Sequence, residues 1–271
     1  AARLQVGTQG VAIAERAYQQ ALAFSQDRAQ GRSAWTGAYP ARLFDHPDVR
    51  RTLVLMKAHI EAARGICPST AVAADLARAA PDEATRTTAK LREELLTPIA
   101  KAWSTDVGVW VASQGVQIHG GMGFIEETGA AQHLRDARIL PIYEGTNGIQ
   151  ARDLVGRKVA KDGGETMLAL VAEMRATAEE MKAAPGDDLE AIRTGLSAAA
   201  DALEDATKWV AQSVKAELVN ALAGSVPFLR LVIRTLSIGL SMIVPRLSRY
   251  CCATCGLATR HNPSGRWRMR A

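Results

Sequence analysis

Apolar and small residues recur every three or four positions from Arg3 to about Gln30, at Leu4, Gly7, Val11, Ala14, Tyr18 and Ala21. The spacing predicts an amphipathic helix whose inward face is made of small residues and suits close packing. Gly31 ends it, in keeping with glycine at helix C-termini. Ser33 to Asp45 has Trp35, Gly37 and Pro40 but no period, and reads as a loop. Asp45-His46-Pro47-Asp48 is a helix start. The stripe Val49, Leu53, Met56, Ile60 and Ala63 carries that helix to about Ile66, with a bend or interruption at Pro68 and a resumption to Ala80.

A third helix is predicted from about Glu83 to Val116, with Leu91, Leu95, Ile99, Ala102, Trp103, Val107 and Trp110 facing inward. A short helix over Gly129 to Ala137 and another from Asn147 to Val159 follow. After the break at Lys161-Asp162-Gly163-Gly164, two Ala-rich helices, Glu165 to Lys182 and Asp188 to Ala223, form a hairpin. No stretch alternates with period two, so no strand is predicted and the fold class is all-α. The organisation reads as a helical bundle over 1–160, an appended helical hairpin over 165–231, and an atypical tail over 232–271.

Composition supports helices: the chain is 48% hydrophobic but only 5% aromatic. The overall charge of +5 comes from the tail, because Ser225 to Ala271 contains eight Arg and no Lys, Asp or Glu. Residues 1–224 are left with a net charge of −3, which argues against a nucleic-acid-binding body. Cys67 is isolated in that body, a pattern that fits a reducing cytoplasm rather than a disulfide framework. The start, Ala-Ala-Arg, has no signal-peptide pattern and falls inside a helical period, so a fragment of a longer protein is expected.

Val226 to Val244 is apolar, but Arg230 and Arg234 would each cost about 2.5–3.5 kcal/mol at a bilayer centre. A packed helix is expected there instead. Cys252-Ala253-Thr254-Cys255 has no second C-x-x-C, which disfavours zinc, and His119 has no His or Cys at ligand spacing, so no metal site is predicted. A shifted reading frame near Val232 accounts for the abrupt loss of acids and lysines.

The candidate chemistry lies in Gln117 to Arg157, QIHGGMGFIEETGAAQHLRDARILPIYEGTNGIQARDLVGR. Glycines at Gly120-Gly121 and a lone carboxylate in Tyr143-Glu144-Gly145-Thr146-Asn147 allow close backbone approach to a ligand beside one acid. These motifs, with Arg135-Asp136-Ala137-Arg138 between them and the His46-Pro47-Asp48 helix start upstream, resemble the C-terminal helical part of the acyl-CoA dehydrogenases. Within that family they are most similar to the 3-(methylthio)propanoyl-CoA dehydrogenase type. The resemblance runs from Ala1 to about Leu231 and implies that the family's N-terminal helices and middle β-domain are absent.

The resemblance also implies roles. Glu144 corresponds to the base that removes the α-proton of an acyl-CoA thioester. Tyr143, Gly145 and Arg3 fall at substrate-side positions. Thr146, Asn147 and Gly148 fall where the family contacts FAD. Gln117, Ile118, His119, Gly120 and Gly121 match the segment that holds the FAD of a neighbouring subunit, and Arg28 and Gln30 match an arginine motif with the same duty. The implied partners are electron-transfer flavoprotein and further copies of the chain, as a homodimer or homotetramer. Some relatives carry the base just ahead of the Arg3 position, where this chain has Ala2, so Glu144 has no rival. Gly31 replaces the usual phenylalanine, and Gly148 removes a side-chain flavin contact. The alternatives are an alkylation-response-type flavoprotein of the same fold, or a non-catalytic helical assembly module.

Overall fold

The structure, a computed structural model, describes residues 2–183 and 186–238. The described residues form helices and no strands; Ala29 and Arg42 make an isolated antiparallel bridge. Three long helices, α1 (Ala2–Asp27), α2 (Pro47–Ala79) and α3 (Glu83–His119), pack on one another. The short α4 (Gly121–Phe124) and α5 (Ala130–Arg138) fold back along α1 and α3, and α6 (Asn147–Asp153) follows the Glu144 turn. Next come the hairpin α7 (Glu165–Met181) and α8 (Asp187–Ala216), then α9 (Leu218–Ala223) and helical residues 225–238.

The α1–α3 contact is made by backbone. A methyl group added at Gly10 would lie 2.3 Å from the Ser104 carbonyl oxygen, and one at Gly108 would lie 3.0 Å from the Gly10 carbonyl oxygen. The small-residue face of α1 is therefore where α3 seats, with Ala14 and Ala21 fully buried. One continuous core runs from Val11 through Leu53, Ile99 and Val111 to Leu196, Leu203 and Leu236. The hairpin shares this core with the first 160 residues, since Met167, Leu170 and Val171 join Leu154 and Val159 in it.

Several boundaries differ from the periodic reading. The helix α2 passes through Pro68 without a break. Pro68 lies on the exposed face, its neighbours Ile66, Cys67 and Thr70 are buried, and the hydroxyls of Ser69 and Thr70 donate to the Gly65 and Ile66 carbonyls at 2.8 Å. Packing and these hydroxyls hold the turn that proline weakens. The helix α3 likewise passes Pro98 and extends to His119, where Gly120 at φ +59° stops it. Beyond Asp153 the helix widens into a π-helix, Leu154–Val159, burying Leu154, Val155 and Val159. The predicted helix to Ala223 breaks at Glu217, where φ −142° and ψ 60° leave the helical region and α9 begins. No glycine or proline marks that break; it lets Ala221 and then Phe228 and Leu229 reach the core.

No helix among the described residues is long and apolar enough to cross a membrane. Val232 and Leu236, beyond the point where the tail was expected to depart, are buried in the core. The Cys252–Cys255 pair and the rest of the tail lie outside the described residues.

Two glycines test the close approach. Gly10→Ala should destabilise the chain by about 1–3 kcal/mol, despite a helix-propensity gain of roughly 1 kcal/mol, because backbone must move. Gly195→Ala in α8, with nothing within 4 Å of its added methyl, should stabilise it by about 0.5–1 kcal/mol. Urea denaturation of both variants reads the two signs.

Candidate active site at the Glu144 turn

The turn after α5 is built by local bonds: the amides of Ile142 and Tyr143 donate to the Ile139 carbonyl at 2.9 and 3.2 Å, and that of Asn147 to Pro141 at 3.0 Å. Glu144 follows with φ +55°, the one non-glycine residue with positive φ among the described residues. A residue with a side chain in this conformation stores on the order of 1–3 kcal/mol and persists only where neighbours enforce it. Gly145 continues at φ +82°, and a methyl group there would lie 2.9 Å from the Gln150 side-chain nitrogen. Only glycine meets both demands.

The neighbours are specific. The Lys101 ammonium, wholly buried on α3, donates to the Gly145 carbonyl and to Asn147 Oδ1, each at 2.9 Å. Gln150 Nε2 donates to the Glu144 carbonyl at 3.2 Å and the Gly145 carbonyl at 3.0 Å. Gln150 is in turn held by Arg3, whose guanidinium donates to its Oε1 at 3.0 Å and to the buried Asp153 carboxylate at 2.5 Å. The Asn147 amide donates to the Ala102 carbonyl at 3.0 Å and to Asp106 at 2.7 Å. Tyr143 donates its hydroxyl to Gln9 on α1. Side chains of α3 and α6 thus converge on two backbone carbonyls, with Arg3 of α1 holding Gln150 from behind.

Electrostatics follow from burial. Loss of water around Lys101 lowers its pKa from about 10.5 to about 8, against the opposing pull of the Asp106 and Glu144 charges. Burial alone would raise the Asp153 carboxyl, but hydrogen bonds and charge from Arg3 and Arg157 hold it below the usual carboxylate range.

The expected site residues divide into two groups. Glu144, Gly145, Thr146 and Gly148 are exposed at the turn, with Tyr143 half-buried beside them. Thr146 caps α6 by accepting from the Ile149 amide at 3.4 Å. The Asn147 side chain points inward to Lys101 and Asp106, and Arg3 is committed to Gln150 and Asp153. Gln117, Ile118, His119, Gly120 and Gly121 lie at the far end of α3. His119 is buried there, its Nδ1 2.7 Å from the Gly115 carbonyl and its ring stacked at 4.3 Å on Phe24 of α1. Arg28 and Gln30 follow Phe24 at that same end, with exposed side chains and backbones tied to Leu43 and Ala41. Lys101 and Gln117 are sixteen residues apart on one helix, about 24 Å along its axis at the standard rise.

The family description "Acyl-CoA dehydrogenase, C-terminal domain" matches residues 1–160, and "Acetyl-CoA dehydrogenase C-terminal like" matches 170–236. The chain belongs to the acyl-CoA dehydrogenase family. It is 49% identical over 231 residues to the 3-methylmercaptopropionyl-CoA dehydrogenase of Ruegeria pomeroyi, covering 85% of this chain and 39% of that relative. The chain therefore spans about two fifths of that relative's length. Caenorhabditis elegans ACDH-11, solved with C11-CoA, shares the fold with a TM-score of 0.71 at 19% identity, over 95% of this chain and 43% of that one. An acyl-CoA dehydrogenase from Bacillus anthracis, solved with FAD, superposes with a TM-score of 0.68 at 20% identity, over 94% of this chain and 43% of that one.

The residues of this acyl-CoA dehydrogenase domain fit a flavin in one particular manner. Gly120 and Gly121 are exposed and have nothing within 4 Å of where a side chain would begin, and Gly120 has φ +59°. Gln117, Arg28 and Gln30 are exposed at the same end. This end and the Glu144 turn are too far apart to grip the same part of one cofactor. Three residues that hold the turn escaped the periodic reading: Lys101, Gln150 and Asp153. Lys101 offered a signal, since it is a charge set within the apolar stripe Ile99, Ala102, Trp103.

Lys101 has a testable titration. Between pH 8 and 10.5 the unfolded chain holds a proton that the folded chain has released, so folding is favoured as pH rises through this window. The burial penalty is fully present below pH 8 and is relieved by pH 10.5. Denaturant unfolding should show wild type gaining on Lys101→Met from pH 8 upward, at a slope approaching ~1.4 kcal/mol per pH unit.

Proposed function

We propose that this chain is the C-terminal part of an FAD-dependent acyl-CoA dehydrogenase, with Glu144 as the base that removes the substrate α-proton. The observation that carries this reading is the strained, exposed Glu144 in a turn clamped by Lys101 and Gln150, within a chain of this family. A carboxylate held against its conformational preference is positioned for a task rather than for stability.

An α-hydrogen of a thioester is weakly acidic, so its removal needs a carboxylate at a fixed place and stabilisation of the developing enolate oxygen. Glu144 accepts the proton. The backbone N–H of Glu144, directed by the left-handed turn, is the donor that this chain offers to the thioester oxygen. The Cα–H electron pair becomes the new double bond as the β-hydrogen departs with its own pair. Bound FAD supplies the acceptor for that hydride. Gly145 and Tyr143 line the acyl side of the turn, and the exposed Thr146 and Gly148 with the Asn147 backbone face the flavin. Gln117 to Gly121, with Arg28 and Gln30, holds the flavin of a second copy. That arrangement requires a homodimer or homotetramer, with electron-transfer flavoprotein as the oxidant.

The acyl group that we assign first is 3-(methylthio)propanoyl, on the strength of the 49% identical relative. In the whole flavoprotein, Glu144→Gln should lower acyl-CoA oxidation by roughly 10²–10⁴-fold while FAD stays bound. Undiminished turnover of 3-(methylthio)propanoyl-CoA and butyryl-CoA by that variant would remove Glu144 from its role. Purified whole protein without flavin absorbance would remove the flavoenzyme reading.

A further inference from the structure

We propose that Lys101 is a positioning residue for Glu144: its ammonium grips the Gly145 carbonyl and so fixes the direction of the preceding carboxylate. The proposal rests on the reading of Glu144 as the α-proton base.

Three observations support it. Gln150, the other donor to the Gly145 carbonyl, sits on α6, the helix that the turn itself opens, so its grip moves with the turn. Lys101 instead stands on α3, among the buried Ala100, Ala102 and Trp103, and is separated from Gly145 by 44 positions. It therefore references the turn to the body of the bundle. Second, the same ammonium binds Asn147 Oδ1, while the Asn147 amide binds the Ala102 carbonyl and Asp106, also on α3. Gly145 and Asn147, on either side of Thr146, are thereby anchored to one helix.

Third, a wholly buried ammonium is a costly device for holding a turn if stability were its sole purpose. The Gly145 carbonyl keeps a donor without it, since Gln150 also donates there at 3.0 Å. Asn147 Oδ1 relies on Lys101, because the single Thr105 hydroxyl proton goes to the Lys101 carbonyl at 2.8 Å. What only a long cationic side chain adds is one group that reaches from α3 to both the Gly145 carbonyl and Asn147 Oδ1, so that the backbone next to Glu144 is held from the body of the bundle. A displaced base lowers turnover steeply, because misplacement of a reacting group by about 1 Å costs on the order of 10²-fold.

The test is Lys101→Met in the whole flavin-loaded protein, beside Glu144→Gln. Since the Gly145 carbonyl keeps Gln150 and the Asn147 amide keeps the Ala102 carbonyl and Asp106, the variant should fold with its FAD. We expect kcat to fall about 10–100-fold with KM for acyl-CoA within about threefold. Hydrogen exchange of backbone amides at 143–147 should quicken at least tenfold, with α1 and α8 unchanged. Lys101→Gln, which keeps a neutral donor, is judged by the same two readouts should the methionine variant lose its flavin. Wild-type kcat, or unchanged exchange at the turn, overturns the role of Lys101 while a dead Glu144→Gln leaves the base in place. A fully active Glu144→Gln overturns both.

Discussion

The backbone contact between α1 and α3 is the constraint from which the rest of the site follows. Gly10 and Gly108 let the two helices touch main chain to main chain, with no room for a methyl group at Gly10. At that separation the Arg3 guanidinium reaches Gln150 and Asp153, and Gln9 reaches the Tyr143 hydroxyl. A wider spacing would withdraw α1 from both. The same contact carries Phe24 onto His119 at the opposite end, so one packing decision sets the geometry of two distant groups of residues.

Those two ends have different physical character. At one, a strained acidic residue is held by a buried lysine of α3 and an amide of α6 that Arg3 of α1 braces. At the other, an exposed glycine pair closes α3 and leaves its backbone accessible. One continuous helix, α3, keeps them roughly 24 Å apart along its axis. In the proposed activity the turn meets the substrate and the glycines meet the flavin of a second copy, a division that fits this separation.

Much of the fold was legible because helices announce themselves through local periodicity. The stripes of α1, α2 and α3 fell where the apolar positions placed them except at Leu91, which is exposed because it lies ahead of the stretch of α3 that the core covers, and the helical hairpin followed the break at Gly163-Gly164. The misses share a cause. Pro68 signals interruption by local rules, yet buried neighbours on either side keep α2 continuous. The π-helix at Leu154 buries Leu154, Val155 and Val159 of its own wider turn, and the break at Glu217, which no glycine or proline marks, lets the following segment reach the core.

Taken alone, the sequence determined the all-α class, the motif around Glu144 and the glycine pair, because spacing and residue type are local properties. Tertiary structure decided what those residues do to one another. It turned the Asn147 amide and the Arg3 guanidinium inward, and it brought Lys101 against a carbonyl 44 positions away. No periodicity encodes such a contact, since it depends on how closely two helix backbones approach. The acid could be read from the chain; the group that aims it could not.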